Sequence, residues 1–225
     1  MNQPYVFSNL AISLDGKIAT YSREQFQLGS ARDIRLLRKL RNNADVVVMG
    51  AETLRTWKKP CIPIRKKKIY NSIVSRNLLN LDPNWTFFKS NKIQRILFVT
   101  GSVSRARLAL FEKYCEVIRI DGRKSISKQI IRAHRERGLQ NILIEGGGGL
   151  MSEFVQDNAI DRYYVTLTPR ILGGKDAPTL VEGPGLPSAR VLNLRLEKTS
   201  RVGSEIFLVY GKLEVRGKKH PLYSN

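Results

Sequence analysis

The sequence has little of what disulfides and metal centres need: two cysteines, Cys61 and Cys115, and two histidines, His134 and His220, in 225 residues. The cysteines are far apart and show no CxxC spacing, so neither a disulfide framework nor a zinc knuckle is expected. No HxE…PCxxC pattern occurs either, which argues against zinc deaminase chemistry. No run of about 18 apolar residues is present, and no basic segment at the start leads into an apolar one. Neither export nor membrane spanning is expected, and a cytoplasmic location follows. Acidic residues are the other scarcity: 19 Asp plus Glu stand against 39 Lys plus Arg, a net charge of +20 with a pI near 10.3. Such a field concentrates anions, whether nucleic acid or nucleotide and sugar-phosphate ligands. The aromatics, 8% of the chain, form no platform of the kind that stacks bases, so nucleic acid is the weaker of these partners.

What is present reads as one globular α/β domain over residues 1–225, with residues 216–225 as a basic, frayed tail. The apolar fraction of 42% is ordinary for a folded chain. Tyr5-Val6-Phe7 and Leu10-Ala11-Ile12 read as a first strand with a polar interruption at Ser8-Asn9. Ile34, Leu37 and Leu40 recur at helical spacing between Ser30, a plausible N-cap, and Asn43. Val46 to Met49 is a buried strand ending in Gly50. Further strands are expected at Ile69–Val74, Ile96–Thr100, Glu116–Ile120 and Asn141–Ile144, with helices over Ser104–Tyr114 and Ser125–Arg137. After the helix that the glycines open, Tyr163–Thr168, Arg190–Lys198 and Glu205–Val215 are all strand-like. Alternating units followed by a strand-rich end predict a mostly parallel central sheet flanked by helices, with antiparallel strands on its C-terminal side. Arg65-Lys66-Lys67-Lys68 and Arg216-Gly217-Lys218-Lys219-His220 are charge runs, which are more often solvated surface than sites.

The strongest chemical signal is Glu145-Gly146-Gly147-Gly148-Gly149-Leu150, between an apolar strand and a helix. Glycines let backbone N–H groups approach an anion, and a helix N-terminus adds about half a positive charge. A tight turn needing no ligand explains one or two glycines but hardly four. The run is neither GxGxxG nor GxxxxGK[ST], so neither a standard Rossmann nor a P-loop site is indicated. Ser13-Leu14-Asp15-Gly16-Lys17-Ile18-Ala19 follows the first strand, and Gly50-Ala51-Glu52-Thr53 follows the second. Three such strand ends predict one crevice.

These segments resemble the pyrimidine reductases of riboflavin biosynthesis, especially the archaeal and fungal stand-alone type. The match runs through Pro4 to Asn9, Ser13 to Thr20, Leu40-Arg41 with Asp45, Gly50 and Thr53. It continues through Ile144 to Gly148, Asp161, Pro169 and Leu172 to Thr179. The resemblance implies a dihydrofolate-reductase-like fold, usually as a homodimer. It also implies reduction of the ribosyl group of a 6-(5-phosphoribosylamino)pyrimidine to ribityl by NADPH, with NADH as a second possibility. Opening of the ribosylamine exposes an imine at C1′ that hydride reduces, so orientation and electrostatics matter more than a covalent nucleophile. Carried over by position, Gly50, Thr53, Ser75, Gly146, Gly147, Gly148 and Gly149 face the dinucleotide. Asn9 and Glu145 are the implied catalytic pair, and Gln25, Arg41, Arg65 and Asp15 the implied substrate contacts. Arg41 and Arg65 suit a sugar phosphate, and Glu145 suits ribose hydroxyls, turned away from the pyrophosphate.

The chain departs from this pattern at Lys58-Lys59-Pro60, where the family reads Asp-Asp-Pro, and at Gln25-Phe26-Gln27, where many members read Ser-x-Trp. Asn9 stands where the bifunctional bacterial enzymes have Lys, which favours the type whose substrate still carries both amino groups. Two other readings stay open: a reductase of another substrate on this scaffold, and a basic nucleic-acid-binding protein. A folate reductase would want a buried carboxylate facing its ring from a helix, and no clear candidate stands out in the sequence.

Overall fold

The computed structural model describes residues 3–65 and 68–213. Lys66 and Lys67 of the first charge run, and the expected basic tail, lie outside the described residues. Strand β1 (Tyr5–Ile12) runs unbroken through Ser8 and Asn9. The polar pair expected within this strand stays in it because β1 is a central strand whose ladders to both neighbours satisfy its backbone, leaving Ser8 and Asn9 as buried polar side chains. Helix α1 (Ala31–Asn43) starts as expected, with the Ser30 hydroxyl accepting from the Arg32 N–H at 3.1 Å.

Strand β2 (Val46–Gly50) passes directly into α2 (Ala51–Trp57), a helix the sequence did not signal because Gly50 offers no side-chain cap. Then follow β3 (Ile69–Ser75), the short α3 (Thr86–Lys89), β4 (Ile93–Val99), α4 (Arg105–Glu112) and β5 (Glu116–Arg119). Helix α5 (Ile126–Glu136), β6 (Asn141–Ile144), α6 (Gly148–Gln156) and β7 (Arg162–Leu167) complete the alternation. Pro187 leads into a 3-10 turn at Ser188–Arg190, so the strand expected from Arg190 starts only at Leu194, as β8 (Leu194–Val202), paired with β9 (Glu205–Lys212).

The nine strands form one sheet in the order β5-β4-β3-β2-β6-β1-β7-β9-β8. Pairs from β5 to β7 are parallel, whereas β9 runs antiparallel to both β7 and β8. The α/β class with antiparallel strands on the C-terminal side is therefore as expected. Alternation along β2 sends Val47 and Met49 into a core under α1, α2 and α4 with Phe7, Leu54 and Phe111. Val46 and Val48 enter a second core under α5 and α6 with Phe154. Each such side chain contributes about 1.5–3 kcal/mol by burial. The chain moves outward from β1 through β5, then returns as β6 between β2 and β1. Loops leaving β1, β2 and β6 thus diverge at the carboxyl edge, where open α/β sheets bind ligands.

Candidate active site

On the α6 side of that edge the site is built from backbone. Gly146 has φ +95°, joins Gly147 through a cis peptide bond, and accepts from the Gly50 N–H at 2.9 Å, which ties the ends of β2 and β6 together. No side chain caps α6, so its first N–H groups remain for a ligand. A Cβ at Gly147 would find only Thr53 Oγ1 at 3.6 Å and Ile18 Cδ1 at 4.0 Å, and one at Gly149 only Glu182 Oε2 at 3.9 Å. Neither position is crowded, since these are ordinary van der Waals distances. Gly148 is different: a Cβ there would collide with the Thr179 carbonyl oxygen and stand 2.7 Å from Glu182 Cγ. The segment after Ala177 packs directly on the helix start, and its Glu182 leans toward Arg23 at 3.8 Å.

On the opposite side, under α1, the site is built from side chains. Arg41 grips Glu145 with two parallel bonds, Nε to Oε1 at 2.7 Å and Nη2 to Oε2 at 2.6 Å. Both side chains are largely buried, 15% and 7% exposed. The Cys61 thiol donates to Glu145 Oε2 at 3.3 Å. Burial first, and then the Glu145 carboxylate, push that thiol above its ordinary range, so it remains a neutral donor. Burial works against the Arg41 charge, but Glu145 outweighs it and holds the guanidinium protonated. Asn71 fixes the Cys61 backbone from both sides, accepting from its N–H at 2.7 Å and donating to its carbonyl at 3.1 Å. Arg41 and Glu145, which the sequence assigned separately to phosphate and hydroxyls, thus form one rigid unit. The carboxylate points into the α1 face, away from the helix that the glycines open.

The other implied residues spread around the crevice. Asn9 lies on β1 in the row that follows the Ser8–Ile144 pairing, beside Glu145, 6% exposed and with Oδ1 unpartnered. Thr53, on α2, faces Gly147. Ser75 accepts from the Leu78 N–H at 3.1 Å and so shapes the turn after β3. Asp15 accepts from the Ser13 hydroxyl at 2.6 Å and from the N–H groups of Leu172 and Gly173 at 3.1 and 2.7 Å. These bonds, the serine's foremost, hold its carboxyl down at about 2. Asp15 is a clasp between the loops after β1 and β7, which Lys17 strengthens by donating to the Ala177 carbonyl at 3.1 Å. Gln25 is likewise engaged, donating to the Thr56 carbonyl at 2.8 Å. Arg65 is exposed, with its backbone N–H on Asn42 Oδ1 at 3.0 Å.

Sequence reasoning missed the Cys61 thiol beside Glu145 and the burial of Asp33, a carboxylate in the first turn of α1. It lies among Arg32, Ile34 and Arg35, which resembles a solvated first turn. The Gly29 turn lies against it, and Thr166 of β7 and Glu205 of β9 stand beside it.

The RibD C-terminal domain model matches residues 4–208. The chain belongs to that family. A relative of RibD C-terminal type is the 2,5-diamino-6-ribosylamino-4(3H)-pyrimidinone 5′-phosphate reductase of Archaeoglobus fulgidus, 27% identical over 89% of this chain and 94% of the relative. Among solved structures, a pyrimidine reductase-like protein of Corynebacterium diphtheriae superposes with a TM-score of 0.82 at 22% identity, over 95% of this chain and 93% of the other. A dihydrofolate reductase from Enterococcus faecalis, complexed with NADP(H) and RAB-propyl, gives 0.54 at 13% identity over 94% and 98%. The fold is therefore dihydrofolate-reductase-like. Among the described residues, no helix is long and apolar enough to cross a membrane.

Proposed function

We infer that the chain, as one domain, is the oxidoreductase of riboflavin biosynthesis that converts the ribosyl group of 2,5-diamino-6-ribosylamino-4(3H)-pyrimidinone 5′-phosphate to ribityl, using NADPH. The observation that carries this reading is the division of one crevice into an open backbone cradle and a wall of buried polar side chains, in a chain of this family. A dinucleotide fits the cradle, since Gly147 and Gly149 leave the N–H groups at the start of α6 open to phosphate oxygens. Bound there, a reduced nicotinamide supplies the hydride.

The protein's own residues do the rest by position. Thr53 and Gly50 border the cradle. Glu145, held by Arg41 and Cys61, offers fixed acceptor charge to the opened sugar, and Asn9 beside it can both donate and accept. Because Arg41 is committed to Glu145, exposed Arg65 is the better partner for the 5′-phosphate. Asp15 and Gln25 set the loop that covers the substrate rather than reaching it first. A second copy of the chain completes a homodimer in this reading.

The pure protein is incubated with the diamino phosphate or its uracil counterpart and with NADPH or NADH, and loss of the reduced nicotinamide's near-ultraviolet absorbance is followed. Rapid oxidation that requires the pyrimidine phosphate is expected, fastest with NADPH. No oxidation with either pyrimidine would refute the assignment.

A further inference from the structure

Arg23 is rooted firmly and ends loosely. It lies on the loop after β1 at φ +55°, a left-handed conformation that glycine or asparagine takes more readily than a long side chain. Its N–H donates to the Thr20 carbonyl at 3.1 Å, and its carbonyl accepts from the Thr56 hydroxyl of α2, also at 3.1 Å. The turn is thus pinned to the helix whose Thr53 faces Gly147. The guanidinium, by contrast, is 41% exposed. Among the described residues its one ion pair is with Glu182, Nη2 to Oε1 at 3.8 Å, too long for a hydrogen bond.

Glu182 is built the same way from the other side. Its N–H donates to the Gly148 carbonyl at 3.1 Å, and the next residue, Gly183, has φ +82° with Ser152 of α6 standing where a Cβ would go. That fixes its backbone on α6. Its carboxylate stands at the helix start, with Oε2 3.9 Å from the position of a Gly149 Cβ, yet caps none of the α6 N–H groups. Arg23 and Glu182 therefore reach toward each other from α2 and from α6, across the mouth of the glycine cradle. Lys17, the other cation of the loop after β1, is already committed to the Ala177 carbonyl at 3.1 Å.

We propose that Arg23 is a phosphate ligand for the dinucleotide and that Glu182 holds it in waiting: with cofactor bound, the guanidinium leaves the carboxylate for phosphate oxygens over the start of α6. This rests on the reductase reading above. A guanidinium matches two phosphate oxygens in a charge-assisted fork, whereas its pair with Glu182 is a half-exposed contact of little strength. Electrostatics favour the exchange as well. A carboxylate beside bound phosphates repels them, and the uncapped start of α6 attracts whichever anion comes closest. Arg23 and Glu182 consequently pull on cofactor affinity in opposite directions, although they form one ion pair.

The test is fluorescence titration of NADPH into the parent, Arg23→Asn and Glu182→Gln, at low and high salt, with thermal melts of each protein without cofactor. Arg23→Asn should weaken NADPH binding about 10-fold, the lower end of the scale for bonds to charged groups, and should flatten the fall of affinity with salt. Glu182→Gln should tighten NADPH binding about two- to fivefold, the scale of the exposed ion pair it dissolves. Both variants should melt near the parent, and Arg23→Gly, which suits φ +55°, gives the same readout should the asparagine variant not fold. A pair that merely braces the two loops would weaken NADPH binding on loss of either partner and lower both melting temperatures alike. That result, or an Arg23→Asn variant with the parent's affinity, overturns the proposal and leaves the reductase reading standing. A parent that binds neither NADPH nor NADH overturns both.

Discussion

The two walls of the crevice solve opposite problems. The α6 wall must let a ligand come close, so it is made of glycines at the uncapped start of a helix, with Glu182 at its rim leaning toward Arg23. The α1 wall must hold charges still, so it buries Arg41 and Glu145 and fixes them to one another and to the Cys61 loop, while Glu205 of β9 ties down the start of α1 at Ser30. The first wall has high tolerance for added ligand and low tolerance for added atoms at one position. The second does not tolerate the loss of one partner of its buried ion pair. Within it, the Glu145 carboxylate is held by a guanidinium and a thiol, whereas Asp33 has no cation beside it and faces only the Thr166 hydroxyl and the Glu205 carboxylate.

The largest expected effect comes from breaking the α1 wall. Arg41→Met leaves Glu145 buried without its partner, and the loss should be about 3–5 kcal/mol, read by urea denaturation. Adding Glu145→Leu should restore most of that stability, because a buried ion pair replaced by apolar groups is close to neutral. The double variant should still be inactive. If Arg41→Met were as stable as the parent, the fork between Arg41 and Glu145 would not be holding the wall.

The α6 wall divides more finely, between neighbouring glycines. Gly148→Ala drives a methyl into the Thr179 carbonyl and should destabilise by about 1–3 kcal/mol. Gly149→Ala meets nothing closer than 3.9 Å, so its stability should stay within about 0.5 kcal/mol of the parent. Its NADPH affinity should nevertheless fall, because the methyl stands where phosphate oxygens approach. Thermal melts with and without NADPH separate the two. Equal melting temperatures for both variants without cofactor would mean that the strap over Gly148 is looser than its contacts indicate.

The two walls were not equally legible. The α6 wall is local: an apolar strand, four glycines and a helix follow one another, so chain order alone announces it. Ser30 as N-cap and the buried strand Val46 to Met49 were readable for the same reason. The α1 wall joins residues 104 positions apart in the Arg41–Glu145 fork and 175 apart in the Ser30–Glu205 bond. Nothing beside Arg41 in the sequence says that its partner is a carboxylate of the protein rather than a phosphate. Asp33 was hidden among arginines, and Asp15 had the look of a ligand contact because Leu172 and Gly173, which satisfy it, come so much later. Strand β1 continued through Ser8 and Asn9 because position in the sheet, not local hydrophobicity, decides a central strand.

The smallest effect contrasts Asp15 and Asp33 in one experiment, through opposite signs of the same linkage. Asp15 titrates at about 2 in the folded chain against an ordinary 3.8. Its contribution to stability is therefore present above the ordinary value and is lost as pH falls toward the folded one. Asp33 titrates above 3.8 when folded. Its contribution is present below that ordinary value and is lost as pH rises through the raised one, so at neutral pH its ionised form is a burden. Melting curves of Asp15→Asn and Asp33→Asn, taken from neutral pH downward, should then move apart at the start. Asp15→Asn should melt below the parent and Asp33→Asn above it. Both gaps should narrow in acid, the Asp33 gap first because its folded carboxyl takes up its proton at the higher pH. An Asp33→Asn variant that melts below the parent at neutral pH would show that the Thr166 hydroxyl stabilises the carboxylate by more than its burial costs.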